Sequence, residues 1–191
     1  MIMKILLIFF FLFNSQLLFA EDISDFQIEG ISIGDSAYDY FSNNELKNAY
    51  EIYNYKNNEF RYYFLPYKHS KTYEYMQITV KPSDQNFIIY GLQGHIIFND
   101  IKECQKKMES IINELDNLFD TESYEDKGSH YIDPSGDSTY SRKSYFLNNN
   151  DRVDVVCFDM SKAFEEEGKS DRLAVTLDKR EFINFIDKNY K

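Results

Sequence analysis

A histidine and two carboxylates lie close together in one segment, His130-Tyr-Ile-Asp133-Pro-Ser-Gly-Asp137, and a serine precedes it. A serine hydroxyl becomes a nucleophile when a base takes its proton and hydrogen-bond donors stabilise the oxyanion. Ser129, His130, Asp133 and Asp137 are therefore one candidate site, for a hydrolase without a standard motif. The alternative is a simple turn, because proline restricts one backbone dihedral and glycine permits another.

Established catalytic patterns are absent from the sequence. Gly34-Asp35-Ser36 and Gly128-Ser129-His130 contain suitable residue types, but neither has the Gly-x-Ser-x-Gly elbow. The chain has no phosphate-binding loop, no dinucleotide glycine pattern, no His-Glu-x-x-His and no EF-hand loop. The spacing of His130 and its neighbouring carboxylates matches no established metal site. We expect no cofactor and no metal, and the sequence favours a non-enzymatic protein over an enzyme.

Aromatic residues offer a second candidate site. The chain has 16 tyrosines and 17 phenylalanines but no tryptophan, and aromatic side chains are enriched at recognition surfaces. Tyr63, Tyr73 and Tyr75 are the candidate binding residues. We expect Tyr63 to stay partly exposed if the aromatic residues that alternate with it along its strand face the core. The alternative is ordinary strand packing with the hydroxyls at the surface.

Cys104 and Cys157 are the only cysteines. Both lie on faces that the sequence pattern predicts to be buried, one on a helix and one on a strand. If the chain is exported, both enter an oxidising compartment, where disulfides persist. We predict a disulfide between them. The alternative is a pair of buried free thiols that act as small apolar side chains.

The first twenty residues predict export. Lys4 precedes an apolar run over 5–13, and Ala20 is followed by two acidic residues. A charged start, a short apolar centre and a small residue at the end are typical of a signal peptide. We expect residues 1–20 to be removed, which leaves 21–191 as a single domain in the periplasm or secreted, without a stable membrane anchor. A membrane-spanning helix is the alternative, but it needs about 20 predominantly apolar residues.

The candidate residues depend on a predicted α+β fold. Apolar residues at three- and four-residue spacing predict one long amphipathic helix over 101–119, capped by Asp100. A short N-terminal helix follows the potential caps at 35–36, and a C-terminal helix follows Asp178. Period-2 and apolar runs predict strands over 50–55, 59–65, 73–80, 87–98, 128–132, 139–147, 152–160 and 172–177, with a solvated loop at 165–169. Short turns between strands favour a mostly antiparallel sheet with helices packed on it.

The net charge of −11 argues against a polyanionic partner. Nucleic acids and anionic lipids attract clustered lysine and arginine, and no basic stripe occurs here. We therefore expect no nucleic acid as a partner. The expected partner is then a protein or a small molecule.

Five segments carry a resemblance to a known family. They are Glu29-Gly-Ile-Ser-Ile-Gly-Asp-Ser36, Ile89-Tyr-Gly-Leu-Gln-Gly94, Ile101-Lys-Glu-Cys104, Val156-Cys-Phe-Asp159 and Arg172-Leu-Ala-Val-Thr-Leu177. Together they resemble small, uncharacterised exported proteins of AT-rich marine alphaproteobacteria, over most of the chain beyond the leader. The resemblance implies a secreted or periplasmic location and no particular activity.

Two functions follow as hypotheses. The first is a non-enzymatic binding or envelope-associated protein that uses the aromatic strand surface or the acidic loops. The second is a periplasmic hydrolase with a non-standard site near Ser129, His130, Asp133 and Asp137.

Overall fold

A computed structural model describes residues 22–68 and 70–190. This part of the chain is an α+β protein with an eight-stranded sheet, a two-stranded hairpin and four α-helices. The elements in chain order are β1 (Gln27–Ile28), β2 (Ile31–Ser32), α1 (Asn43–Lys47), β3 (Glu51–Asn54), β4 (Arg61–Pro66), β5 (Tyr75–Val80), β6 (Ile89–Phe98), α2 (Ile101–Leu118), β7 (Ser123–Ser129), β8 (Thr139–Phe146), β9 (Arg152–Asp159), α3 (Lys162–Glu166), β10 (Asp171–Asp178) and α4 (Arg180–Tyr190). The predicted leader, residues 1–20, lies outside the described residues.

The large sheet has the strand order β3-β4-β5-β6-β10-β9-β8-β7, and all neighbouring strands are antiparallel. The chain builds β3 to β6 as one meander, crosses through α2, and builds β7 to β9 as a second. The last strand, β10, then pairs with β6 on one side and β9 on the other. The predicted mostly antiparallel α+β class is confirmed, and the joining strand β10 lies at the centre of the sheet.

The first face of the sheet carries the main core. Alternate residues of the central strands point to this face and are buried: Met76, Ile78 and Val80 on β5, Val153, Val155 and Cys157 on β9, and Leu173, Val175 and Leu177 on β10. Helix α2 packs on these side chains through Cys104 and Met108, which are buried. The apolar stripe of α2 is thus buried against the apolar face of the sheet.

The predicted cysteine pair is confirmed at disulfide distance. The Cα atoms of Cys104 and Cys157 are 6.0 Å apart, and both side chains are buried. Because Cys104 is on the first turn of α2 and Cys157 on β9, the bond joins the helix to the centre of the first face.

Helix α4 covers one end of the second face. Its Phe182 and Phe185 rings lie 5.2 and 5.0 Å from the Phe60 ring, which is fully buried. The helix begins where the Arg180 backbone N–H donates to Asp151 Oδ1 at 2.7 Å. Asp178, which precedes this helix in the sequence and would be its expected N-cap, does not cap it, because Asp178 lies on β10 with its side chain buried on the second face.

Two segments differ from the sequence prediction. Strand β7 is Ser123–Ser129 rather than 128–132. It is an edge strand with mostly exposed side chains. Its sequence therefore lacks the alternation of apolar residues from which a strand is predicted. The predicted loop at 165–169 overlaps the short helix α3, Lys162–Glu166, which carries no buried residue and so leaves no apolar stripe in the sequence.

Candidate functional site

The three predicted binding tyrosines do not share one surface. Tyr63 is 5 % exposed and contacts Phe87, with ring centroids 5.8 Å apart, on the first face. The expectation that it stays partly exposed is wrong, because the main core takes the face of β4 that carries Tyr63 and Leu65. Tyr73 also packs against the main core, whereas Tyr75 pairs with His95 across β5 and β6.

Asp133 organises a turn. Its Oδ1 accepts from the Ser135 amide and hydroxyl, at 3.0 and 2.6 Å. Its Oδ2 accepts from the Ser138 amide and hydroxyl, at 3.0 and 2.6 Å, and from the Ser161 hydroxyl at 3.0 Å. The side-chain bonds from Ser135 and Ser138 hold the pKa of Asp133 well below its usual range. The carboxylate thus ties the β7–β8 turn to the start of α3.

The other members of the predicted hydrolase site are also engaged elsewhere. The Ser129 hydroxyl donates to the Gly136 carbonyl at 3.3 Å, and His130 Nδ1 accepts from the Ile132 amide at 3.2 Å. Asp137 is exposed. In the described chain, no side-chain hydrogen bond links Ser129, His130 and Asp133 to one another. They therefore form no relay of nucleophile, base and carboxylate.

Ser129 does line a cleft between the start of α2 and strands β7 to β9. The cleft has a volume of about 390 Å³, and Ile101, Gln105, Lys127, Thr139 and Asp159 also line it. This volume falls within the range of small-molecule sites. None of these lining side chains is a buried polar group without a partner. The cleft has the size of a site, and nothing in its lining selects a ligand.

The second face of the sheet differs from the first in chemistry. Strand register places polar and aromatic side chains on it, around Ala174 and Val156: Phe64, Tyr75, Gln77, Gln93, His95, Arg172, Thr176, Asp154 and Phe158. His95, Thr176 and Asp154 are buried, and the others are partly buried. Polar groups on central strands need partners when they are removed from water.

His95 lacks such partners. It is 5 % exposed, and neither Nδ1 nor Nε2 has a hydrogen-bond partner. The Phe64 ring stands edge-on to the imidazole, with ring centroids 5.2 Å apart. Burial, followed by the positive charge of Arg172, lowers the pKa of His95 to about 3. The imidazole is therefore neutral at physiological pH, with one free donor and one free acceptor.

Arg172 is next to His95 on the same face. Its guanidinium lies over the Phe158 ring, 4.7 Å from the centroid, and no described carboxylate is within ion-pair distance of it. Burial lowers the pKa of Arg172, and this effect is opposed by Tyr131 and Glu51. The predicted residue His130 lies on the other side of this group, with its ring 4.9 Å from that of Phe158. Burial lowers the pKa of His130 to about 4.

Residues from the outer strands act on Arg172 at the second face. Strands in a flat sheet are about 4.8 Å apart, so β3 would lie roughly 19 Å from β10. Glu51 of β3 nevertheless acts on Arg172 of β10. Tyr131, in the turn after β7, acts on both Arg172 and Tyr62 of β4. Groups from both edges of the sheet thus lie close enough to Arg172 to act on its charge.

A second buried polar cluster lies on the same face. Arg152 Nε is 2.9 Å from Asp154 Oδ2, and Arg152 Nη2 is 3.3 Å from Asp178 Oδ2. Burial raises the pKa of Asp178 to about 7, although Arg152 opposes the shift. Gly91 makes room for this cluster, because a Cβ there would lie 2.9 Å from Asp178 Oδ1. Two carboxylates share one arginine, so the cluster balances its charge when one acid is protonated.

Comparison with known proteins gives no function. No family model, curated protein or solved structure matches this chain. Across 22–68 and 70–190, no group of three or more His, Cys, Asp and Glu side chains could hold a metal ion. Within the same ranges, no helix has the length and apolar character needed to cross a membrane.

Proposed function

We propose that this protein is an exported, non-enzymatic binding protein that holds a small ligand on the second sheet face, around His95 and Arg172. One observation carries the proposal: His95 is buried with both ring nitrogens unpartnered. A buried polar group without a partner costs about 1–3 kcal/mol of folding free energy. A ligand that supplies the missing hydrogen bonds would recover this energy on binding.

Periplasmic or secreted location is part of the proposal. It is supported by the leader-like pattern at 1–20 and by a cysteine pair at disulfide distance, since disulfides persist in oxidising compartments. The acidic net charge makes nucleic acid a poor partner.

Binding is favoured over catalysis by the chemistry of the face. Within the described part of the chain, no serine or cysteine lies within hydrogen-bond distance of the His95 ring nitrogens, and covalent catalysis by a hydroxyl or thiol needs such a nucleophile beside its base. The hydrolase hypothesis remains the weaker proposal. Its serine donates to a carbonyl, and its carboxylate accepts from three serines.

The test is a nuclear magnetic resonance titration of the purified protein with a panel of small neutral, anionic and cationic compounds. At least one compound should shift the signals of His95, Phe64 and Arg172. His95→Phe should weaken that binding by about tenfold, which is roughly the value of one hydrogen bond. Lys102→Gln, an exposed change on α2, should leave it unchanged. If compounds shift only the cleft near Lys127, or none shifts the second face, the proposal is wrong.

A further inference from the structure

We infer that the ligand of the second face is a small monocarboxylate, with its carboxylate held by the Arg172 guanidinium and an N–H of His95. This inference rests on the proposed function and adds the chemical class of the ligand.

The charge of the site favours an anion. Arg172 is partly buried on the second face, and no described carboxylate pairs with it. By contrast, Arg142 and Arg152, on the same face, each have an aspartate within ion-pair distance. A cation that is removed from water without a counter-charge is costly. The unpaired guanidinium is therefore a place for a negative group that the chain itself does not supply.

The number of charges favours a single negative charge. The two imidazoles near Arg172 have pKa values lowered to about 3 and about 4, so both are neutral at physiological pH. The positive charge that acts on His95 is that of the Arg172 guanidinium, and Glu51 lies close enough to act on the same guanidinium. A monocarboxylate matches the single charge of the guanidinium, whereas a phosphate dianion would add a second negative charge beside Glu51.

The geometry of the donors fits a carboxylate. Ala174 is the register partner of His95, and Arg172 precedes Ala174 by two residues on the same face. Diagonal neighbours of this kind have Cα atoms about 7–8 Å apart, within reach of an arginine side chain. The guanidinium presents parallel N–H donors that match two carboxylate oxygens. The unpartnered imidazole N–H of His95 is closed off from solvent, so it adds one more donor from the adjacent strand once the Phe64 ring beside it moves aside.

Aromatic rings supply an apolar wall for the body of the ligand. Phe64 and Tyr75 are stacked, with centroids 5.0 Å apart and planes 14° apart. Phe158 lies under the guanidinium from the other side. A carboxylate on a flat, apolar body would contact these rings, so benzoate is a suitable probe.

The experiment compares benzoate with its neutral isostere, benzamide, and with inorganic phosphate. Each is titrated into the isotope-labelled protein, and the side-chain signals of His95 and Arg172 are followed. Benzoate should shift both signals, and benzamide should bind at least about tenfold more weakly, since a charge-assisted hydrogen bond is stronger than a neutral one by about 1.4 kcal/mol or more. Arg172→Gln should remove this preference. Arg172→Lys should keep part of it, because it retains the charge but not the paired donors.

The outcomes separate the inference from the proposed function. If benzamide and benzoate bind the second face equally, the carboxylate inference is wrong and the binding function stands. If phosphate binds more tightly than benzoate, the monocarboxylate class is wrong. If benzoate leaves the second face unshifted while other panel compounds shift it, the inference alone fails; if no compound shifts it, both fail. Thermal unfolding of each variant shows whether it is folded, and the benzoate–benzamide comparison needs only the unmodified chain.

Discussion

The Arg172 guanidinium lies over the Phe158 ring, 4.7 Å from its centroid, and no described carboxylate neutralises it. An arginine on the central strand of a sheet would be expected to pair with an acid, as Arg152 does on the adjacent strand. The ring contact offsets only part of the cost of burial, since a cation–π contact contributes about 0.5–2 kcal/mol. Arg172 therefore lacks a direct ionic partner among the described residues.

Replacing Arg172 by Leu should stabilise the fold. Replacement of buried charged groups by apolar residues is often neutral or stabilising by about 1–4 kcal/mol. Arg172 lacks even the partner that normally offsets its burial, so we expect Arg172→Leu to raise the free energy of unfolding by about 1 kcal/mol in a urea titration. Arg180→Leu, at an exposed position, is the matched control and should change it little. A loss of more than about 1 kcal/mol in Arg172→Leu would mean that Arg172 holds the fold rather than a ligand.

His95 should make the protein sensitive to acid. Its pKa is about 3 in the folded chain and about 6.5 when unfolded, so only the unfolded chain takes up its proton between these values. Stability is therefore fully present above pH 6.5 and is lost as the pH falls toward 3, by about 1.4 kcal/mol per pH unit. Arg172 faces His95 from β10 and opposes protonation, whereas Glu74, just before β5, and Glu51 on β3 form no hydrogen bond to it.

The measurement is urea unfolding of the unmodified chain and of His95→Phe, between pH 4 and 7. The phenyl ring keeps the packing against Phe64 and cannot take up a proton. The acid-induced loss should shrink by about 1.4 kcal/mol per pH unit in the variant. Parallel pH profiles of the two proteins would show that His95 does not titrate in this way.

The cysteine pair should contribute substantially to stability. The pair closes a loop of 53 residues, for which chain entropy predicts about 4 kcal/mol. Reduction should therefore lower the free energy of unfolding by about 2–4 kcal/mol, because removing the cross-link raises the conformational entropy of the unfolded chain. The double variant Cys104→Ala, Cys157→Ala is the control and should be insensitive to reductant. Equal unfolding midpoints with and without reductant in the unmodified chain would contradict the prediction.

Burial of the first face could be predicted from the sequence, because alternation of apolar and polar residues indicates a strand with one buried face. Met76, Ile78 and Val80 alternate with polar residues, and a strand places alternate side chains on opposite faces. The cysteine pair followed from two buried faces and an expected oxidising compartment. Both predictions rest on apolar residues, which have a strong preference for burial.

The second face could not be predicted in the same way. Arg172, Thr176 and Asp178 alternate with Leu173, Val175 and Leu177 on β10, a pattern that normally indicates a solvated face. Alternation shows that the faces differ, but it does not show that the polar face becomes buried. Glu51 of β3 and Tyr131 of the turn after β7 act on Arg172, and this approach leaves no local signal in the sequence. An arginine near the start of a mostly apolar strand was the available clue.

A side chain at Gly94 should destabilise the first face. A Cβ there would lie 2.6 Å from the Tyr73 ring and 2.9 Å from Ile28. Overpacking of a filled core costs about 1–3 kcal/mol, so Gly94→Ala should lower the free energy of unfolding by that amount. In the background of Tyr73→Ala, the same change should cost less, because the ring is gone. Equal costs in the two backgrounds would exclude this contact as the cause.

Asp178 should destabilise the protein as the pH rises. Its pKa is about 7 in the folded chain against a usual value of 3.8, so the unfolded chain loses this proton first. Its contribution to stability is therefore fully present below pH 3.8 and is lost as the pH rises toward 7. Arg152 favours the charged form, while Asp154 on the same arginine opposes it.

Asp178→Asn keeps the shape of the protonated acid and removes the titration. Urea unfolding at pH 4.5 and pH 8 should show the variant gaining stability relative to the unmodified chain at the higher pH, by an amount on the order of 1–3 kcal/mol. Asp137→Asn, at an exposed turn position, is the matched control and should show no such difference. If Asp178→Asn instead loses stability at pH 8, then Asp178 is ionised in the fold. The charged pair with Arg152 would then hold β9 and β10 together at neutral pH.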